Sequence, residues 1–81
     1  MDWQPRAWKD YRWIVGDPEL LGGKLAIRGT RLSVDLILEC LGNGISLSEI
    51  DDAFGVGLPH AAAGDVLKVA AEVTGQFHVA A

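Results

Sequence analysis

The sequence predicts a mainly α-helical domain: a three-helix, helix-turn-helix-like bundle preceded by an N-terminal β-hairpin. Three observations lead there. Two short runs alternate in the manner of strands and are separated by turn-forming residues. Three later segments repeat apolar residues at helical spacing. The first two of those segments are joined by a tight Gly-Asn-Gly turn.

The first strand is expected within "YRWIV", residues 11 to 15, and the second within "KLAIR", residues 24 to 28. In the second, Leu25 and Ile27 fall on one face and Lys24, Ala26 and Arg28 on the other. Between them Gly16 and Asp17-Pro18 open a loop that Gly22-Gly23 closes. Two strands alone are marginal in water, so the hairpin must lie on the helices or pair with a second copy.

Ser33 suits the N-cap of a first helix, because its hydroxyl can accept an otherwise unpaired backbone N–H. Val34, Ile37, Leu38 and Leu41 then form its inward stripe, and Gly42-Asn43-Gly44 ends it. "SLSE", residues 46 to 49, is a capping box for a short second helix with Leu47, Ile50 and Phe54 on one face. Gly55 stops that helix. Pro59 belongs in the first turn of a third, whose stripe is Ala63, Val66, Ala70 and Val73 and which ends before Gly75. Gly64 weakens this helix unless another backbone packs closely against it. The outline is that of a homeodomain-like bundle.

The 81 residues make one domain, expected as an arm at 1–10, a body at 11–75 and a tail at 76–81. With 49% hydrophobic residues in so short a chain, surplus apolar surface is expected to be hidden in a homodimer or against a partner. Cys40 is the only cysteine, which fits a reducing, cytoplasmic setting. No signal-like or membrane-spanning run is visible, so no membrane partner is expected.

Charge is divided unevenly. Residues 1 to 31 carry six Lys and Arg against four acids; residues 32 to 81 carry only Lys68 against seven, which together give the net charge of -4. Any basic surface therefore comes from the arm and hairpin. The candidates for contact with a partner or nucleic acid are Arg6, Lys9 and Arg12 in the arm, and Lys24, Arg28, Thr30 and Arg31 in the hairpin and the turn after it.

Two readings of Gly29-Thr30-Arg31 stay open. In one it only turns the chain: Gly29 takes a conformation other residues resist, Thr30 bonds a nearby amide, and Arg31 bridges to Asp35 or Glu39. In the other, Arg28 and Arg31 are a basic pair for phosphate or for an acidic protein pocket. The arm interleaves Trp3, Trp8, Tyr11 and Trp13 with its cations. That pattern serves either base stacking or packing and dimer contact, and packing is the expectation. The third helix offers only His60, Asp65 and Lys68 before Glu72, a poor set for reading bases.

Catalysis is not expected. His60 and His78 are the only histidines, Cys40 falls among helix residues as a small hydrophobe, and no metal-ligand spacing or phosphate loop is present. No cofactor is implied. Asp51-Asp52 reads as a solvated helix face.

Residues 17 to 50, "DPELLGGKLAIRGTRLSVDLILECLGNGISLSEI", resemble the family catalogued as domain of unknown function 433. The matching positions are Asp17-Pro18, Gly23-Lys24, Ile27, Gly29-Thr30-Arg31, Val34, Leu41, Gly44 and Glu49-Ile50, and the likeness extends over roughly residues 13 to 73. The chain departs from the family pattern at Leu25 and Ser33, where members often carry Pro, and in a third helix with a single lysine. The resemblance implies a hairpin followed by a helix-turn-helix fold. It also implies a VapB-like antitoxin role: binding and blocking a PIN-like ribonuclease toxin and regulating its own operon through operator DNA. The alternatives are a DNA-binding transcriptional regulator using the hairpin and arm, or a plain dimerisation module.

Overall fold

The computed structural model describes residues 3–79; residues 1–2 and 80–81, the ends of the expected arm and tail, lie outside them. The order is β1 (Ile14–Gly16), a single 3-10 turn (Leu21–Gly23), β2 (Leu25–Ile27), α1 (Val34–Gly42), α2 (Leu47–Phe54) and α3 (His60–Thr74). The hairpin and the three helices take the expected order.

β1 and β2 are antiparallel, with Ile14 opposite Ile27, Val15 opposite Ala26 and Gly16 opposite Leu25. Because side chains alternate across a strand, the first two pairs face opposite ways. Ile14 and Ile27 enter the main core with Leu32, Val34, Ile37, Ile50, Ala62, Val66 and Val69. Val15 and Ala26 form a second buried cluster with Leu20. Ala26 was expected on a polar face. It is fully buried because the hairpin's own loop folds Leu20 back over that side, with the Leu20 N–H donating to the Asp17 carbonyl at 2.9 Å.

β1 starts later than Tyr11. Lys9 takes a positive φ of 52° and the Tyr11 N–H returns to the Trp8 carbonyl at 3.3 Å, so the chain reverses before the strand begins. The expected arm consequently runs back along β1: Ala7 bridges Val15, the Trp8 N–H donates to the Ile14 carbonyl, and the Gly16 N–H to that of Arg6. Trp8 stacks on Tyr11 with centroids 5.5 Å apart, and both, with Trp13, pack against the main core.

The helix ends follow local chemistry. Ser33 accepts the Leu36 N–H at 3.3 Å, the Ser46–Glu49 capping box is complete, and Gly55 ends α2 in the left-handed region. Pro59 is the N-cap of α3 and not part of its first turn. α3 is also rotated from the expected stripe. Ala62, Val66 and Val69 are its buried residues, while Val73 is 41% exposed. Cys40 is half-buried against the core. Asp51 does not share the solvated role of Asp52: its carboxylate accepts the Leu58 N–H at 2.8 Å and fixes the loop into α3. No helix among the described residues is long and apolar enough to cross a membrane.

Candidate partner-binding cleft

The segment Arg28–Arg31 carries the chain from β2 into α1. Gly29 has φ of +80°, a region that costs a side-chain-bearing residue dearly and glycine little. Thr30 closes the turn twice: its N–H donates to the Ile27 carbonyl at 3.1 Å and its hydroxyl donates to the same carbonyl at 2.9 Å. The same hydroxyl oxygen accepts the Leu32 N–H at 3.0 Å. An Ile27 N–H to Leu32 carbonyl bond of 3.0 Å spans the whole loop. Gly29 and Thr30 therefore build the turn, and the Thr30 hydroxyl is committed within it.

The cations sort by what already holds them. Lys9 pairs with Glu72 of α3 and lies 4.7 Å over the Trp8 ring. Arg12 lies 5.4 Å over the Trp13 ring. Lys24 pairs with Asp35 at 3.0 Å, an exposed bridge of small energetic weight. The Asp35 carboxyl is held below its ordinary range, first by the Ser33 hydroxyl and then by Lys24. Arg28 is half-buried, and its Nε donates to the Arg12 carbonyl at 2.6 Å. That contact uses one of five guanidinium N–H groups and leaves the head oriented.

Arg6, Arg31 and Lys68 of α3 remain, exposed and with no side-chain partner among the described residues. Arg6 is anchored only through its backbone, whose N–H donates to the buried Asp17 carboxylate at 3.0 Å. Asp17 also accepts the Glu19 N–H at 3.0 Å, and these two bonds, Glu19's first, hold its carboxyl below the ordinary value. Asp17 thus clips the arm to the hairpin. The expected bridge from Arg31 to Asp35 or Glu39 does not form. Lys24 reaches Asp35 from the hairpin instead, and Glu39 has no ion-pair partner among the described residues.

Arg28 and Arg31 border an open cleft of about 800 Å³. Leu20, Leu32, Leu36 and Val56 supply aliphatic surface, and Trp3 and Phe54 line it at 54% and 47% exposure. Gln4, Pro5, Gly29 and Thr30 are the other lining residues, and among the described residues none that lines the cleft is Asp or Glu. Lys24 lies outside this cleft, in an apolar groove of about 310 Å³ between α1 and α3, and Lys9 lines a polar hollow beside Asp65, Lys68 and Glu72.

Sequence reasoning missed the roles of Phe54 and Val56 here. The periodicity of α2 places Phe54 beneath the helix, but the core ends one turn earlier at Ile50, which is 1% exposed. Among the described residues no three His, Cys, Asp or Glu side chains group to hold a metal ion. α3 has little left with which to read bases: Asp65 accepts the Trp13 N–H at 3.0 Å and Glu72 holds Lys9.

The family model described as "Protein of unknown function (DUF433)" matches residues 14–66, from the first residue of β1 through the signature turn and into α3. The chain belongs to that family. The DUF433 match takes in the turn, both of its arginines and the aliphatic surface of the cleft, whereas Trp3 and the rest of the arm precede it. No curated protein and no solved structure matches the chain.

Proposed function

We propose that this DUF433 protein is the antitoxin-like half of a type II toxin–antitoxin pair, and that the turn carrying Arg31 binds and blocks a PIN-like ribonuclease. One observation carries the reading. In a signature whose Gly29 and Thr30 are committed to backbone geometry, Arg31 alone is exposed, cationic and unpaired among the described residues, beside a cleft that none of the described acids lines. A guanidinium on a well-tied turn suits the acidic, metal-binding cleft of such a nuclease, where it replaces the metal's charge and bars the substrate. Inhibition is then steric and electrostatic and needs no catalytic group of this chain.

The test is co-expression with the product of the neighbouring gene, followed by purification. A stable complex in which nuclease activity is suppressed is expected; a nuclease that remains free and active in the presence of the folded chain overturns the reading. A homodimer would use a different surface, around Leu67 and Val73 of α3 and Phe77 beyond it, all exposed.

The second reading, a DNA-binding regulator acting through arm and hairpin, draws on Arg6, Arg12, Arg28 and Arg31. It is weakened because Lys9 and Lys24 already pair with acids. It requires an affinity for upstream DNA that falls steeply with salt. A mobility-shift titration at low salt that leaves the DNA unshifted excludes it.

A further inference from the structure

We infer that the cleft beside the signature turn is a receptor for an acidic polypeptide segment that carries one aromatic or branched aliphatic side chain. The inference rests on the reading above that this face meets a protein partner, and it names the chemistry of the segment received.

Charge complementarity comes first. The chain carries a net charge of -4, yet among the described residues the cleft is lined by two arginines and no acid. Arg28 is aimed by the Arg12 carbonyl at 2.6 Å and keeps its terminal nitrogens, so a carboxylate meets donors that are already oriented. Arg31 adds a second fork on the same border.

Shape and polarity follow. Leu20, Leu32, Leu36 and Val56 give the cleft hydrocarbon surface, and half-exposed Trp3 and Phe54 offer rings to an apolar side chain. Apolar anchor residues beside charge-assisted bonds are the composition of binding hot spots.

The surroundings decide between a peptide and a nucleic acid. Arg31 is shared with an adjoining hollow that holds the Lys24–Asp35 pair and Glu39, which has no ion-pair partner among the described residues. A phosphate backbone leaving the cleft that way would meet a neutralised Lys24–Asp35 pair and the uncompensated Glu39, and no further free cation among the lining residues, whereas separate carboxylates engage the arginines alone. A short acidic segment fits; a polyanion does not.

The test is an NMR titration of the ¹⁵N-labelled full chain with three synthetic peptides and oligothymidylate. The peptides are Asp-Glu-Phe-Leu-Asp-Glu, its amide analogue Asn-Gln-Phe-Leu-Asn-Gln, and Asp-Glu-Gly-Ser-Asp-Glu. The first is expected to bind saturably, shifting the amides of Gly29 and Arg31 and the Trp3 indole N–H. The other two are expected to bind about tenfold or more weakly, and Arg31→Gln to weaken the first about tenfold, the loss of one charge-assisted bond. Lys68→Gln, which removes the same charge on α3, is expected to leave binding unchanged. No saturable shift with the acidic peptide, equal binding of its amide analogue, or preferential binding of oligothymidylate overturns the inference. The peptide failing while the nuclease complex still forms defeats only this inference. A peptide that binds when no complex forms defeats the antitoxin reading and leaves the receptor standing.

Discussion

Replacing Thr30 by Val keeps the shape of the side chain and removes one hydroxyl, and that hydroxyl separates a turn-building role from a ligand role. In the folded chain it donates to the Ile27 carbonyl at 2.9 Å and accepts the Leu32 N–H at 3.0 Å. The Ile27 carbonyl keeps a second donor in the Thr30 N–H, at 3.1 Å, so its loss is modest. The Leu32 N–H has no other partner among the described residues and lies beside the buried Leu32 side chain, 5% exposed. Leaving such a group unsatisfied costs about 1–3 kcal/mol. Part burial of the Leu32 contact points to the lower half, about 1–2 kcal/mol, which in a domain this size lowers Tm by roughly 4–16 °C. Thr30→Ser retains the hydroxyl and is expected to lose much less. Urea unfolding followed by circular dichroism, with m values compared, measures all three chains. If Thr30→Val unfolds at the wild-type midpoint, the hydroxyl does not staple the turn and is free for a ligand.

Gly64→Ala is expected to stabilise the protein by about 0.5–1 kcal/mol, since Gly64 lies inside α3 and an added methyl group would meet nothing within 4 Å beyond the backbone of its own helix and its chain neighbours. A lower urea midpoint for the alanine variant would show that something approaches that face. Asp17 yields a pH dependence. Its carboxyl titrates below the ordinary 3.8, so its stabilisation is complete above the unfolded-state value and disappears as pH falls through the lower, folded-state value. The stability gap between wild type and Asp17→Asn should therefore be widest near neutrality and shrink below about pH 4, as pH-dependent unfolding would measure. A gap that stays constant to pH 2 contradicts the two N–H bonds assigned to that carboxylate.

What could be read from the sequence was local. Ser33, the Ser46–Glu49 box and Gly55 act on backbone groups within four residues, so residue type at a fixed spacing was enough to place three helix ends. The stripe of α3 was harder. Its first half is Ala-rich, the contrast between faces is weak, and packing against β1 and α1 rather than periodicity chose Ala62 and Val69 over Ala63 and Val73 for burial. Contacts distant in sequence were not legible at all. Leu20 covering Ala26, Asp51 holding the Leu58 N–H, and Lys9 crossing to Glu72 each depend on how the elements pack. The signature turn lay between these cases. The roles of Gly29 and Thr30 follow from their chemistry, but that Arg31 stands unpaired among the described residues, with Asp35 taken by Lys24 and Glu39 left without an ion-pair partner, is visible only in the fold.

That unpaired guanidinium is the centre of the proposal, and one binding measurement bears on it most directly. Titration calorimetry of the nuclease recovered by co-expression, with wild-type chain and with Arg31→Ala, compares a complete site with one lacking the free cation. A folded Arg31→Ala protein, with an unchanged circular dichroism spectrum and urea midpoint, is expected to bind about 10- to 100-fold more weakly, the value of a charge-assisted bond to a carboxylate. Unchanged affinity for the folded variant would contradict the account and place the partner on another face of the molecule.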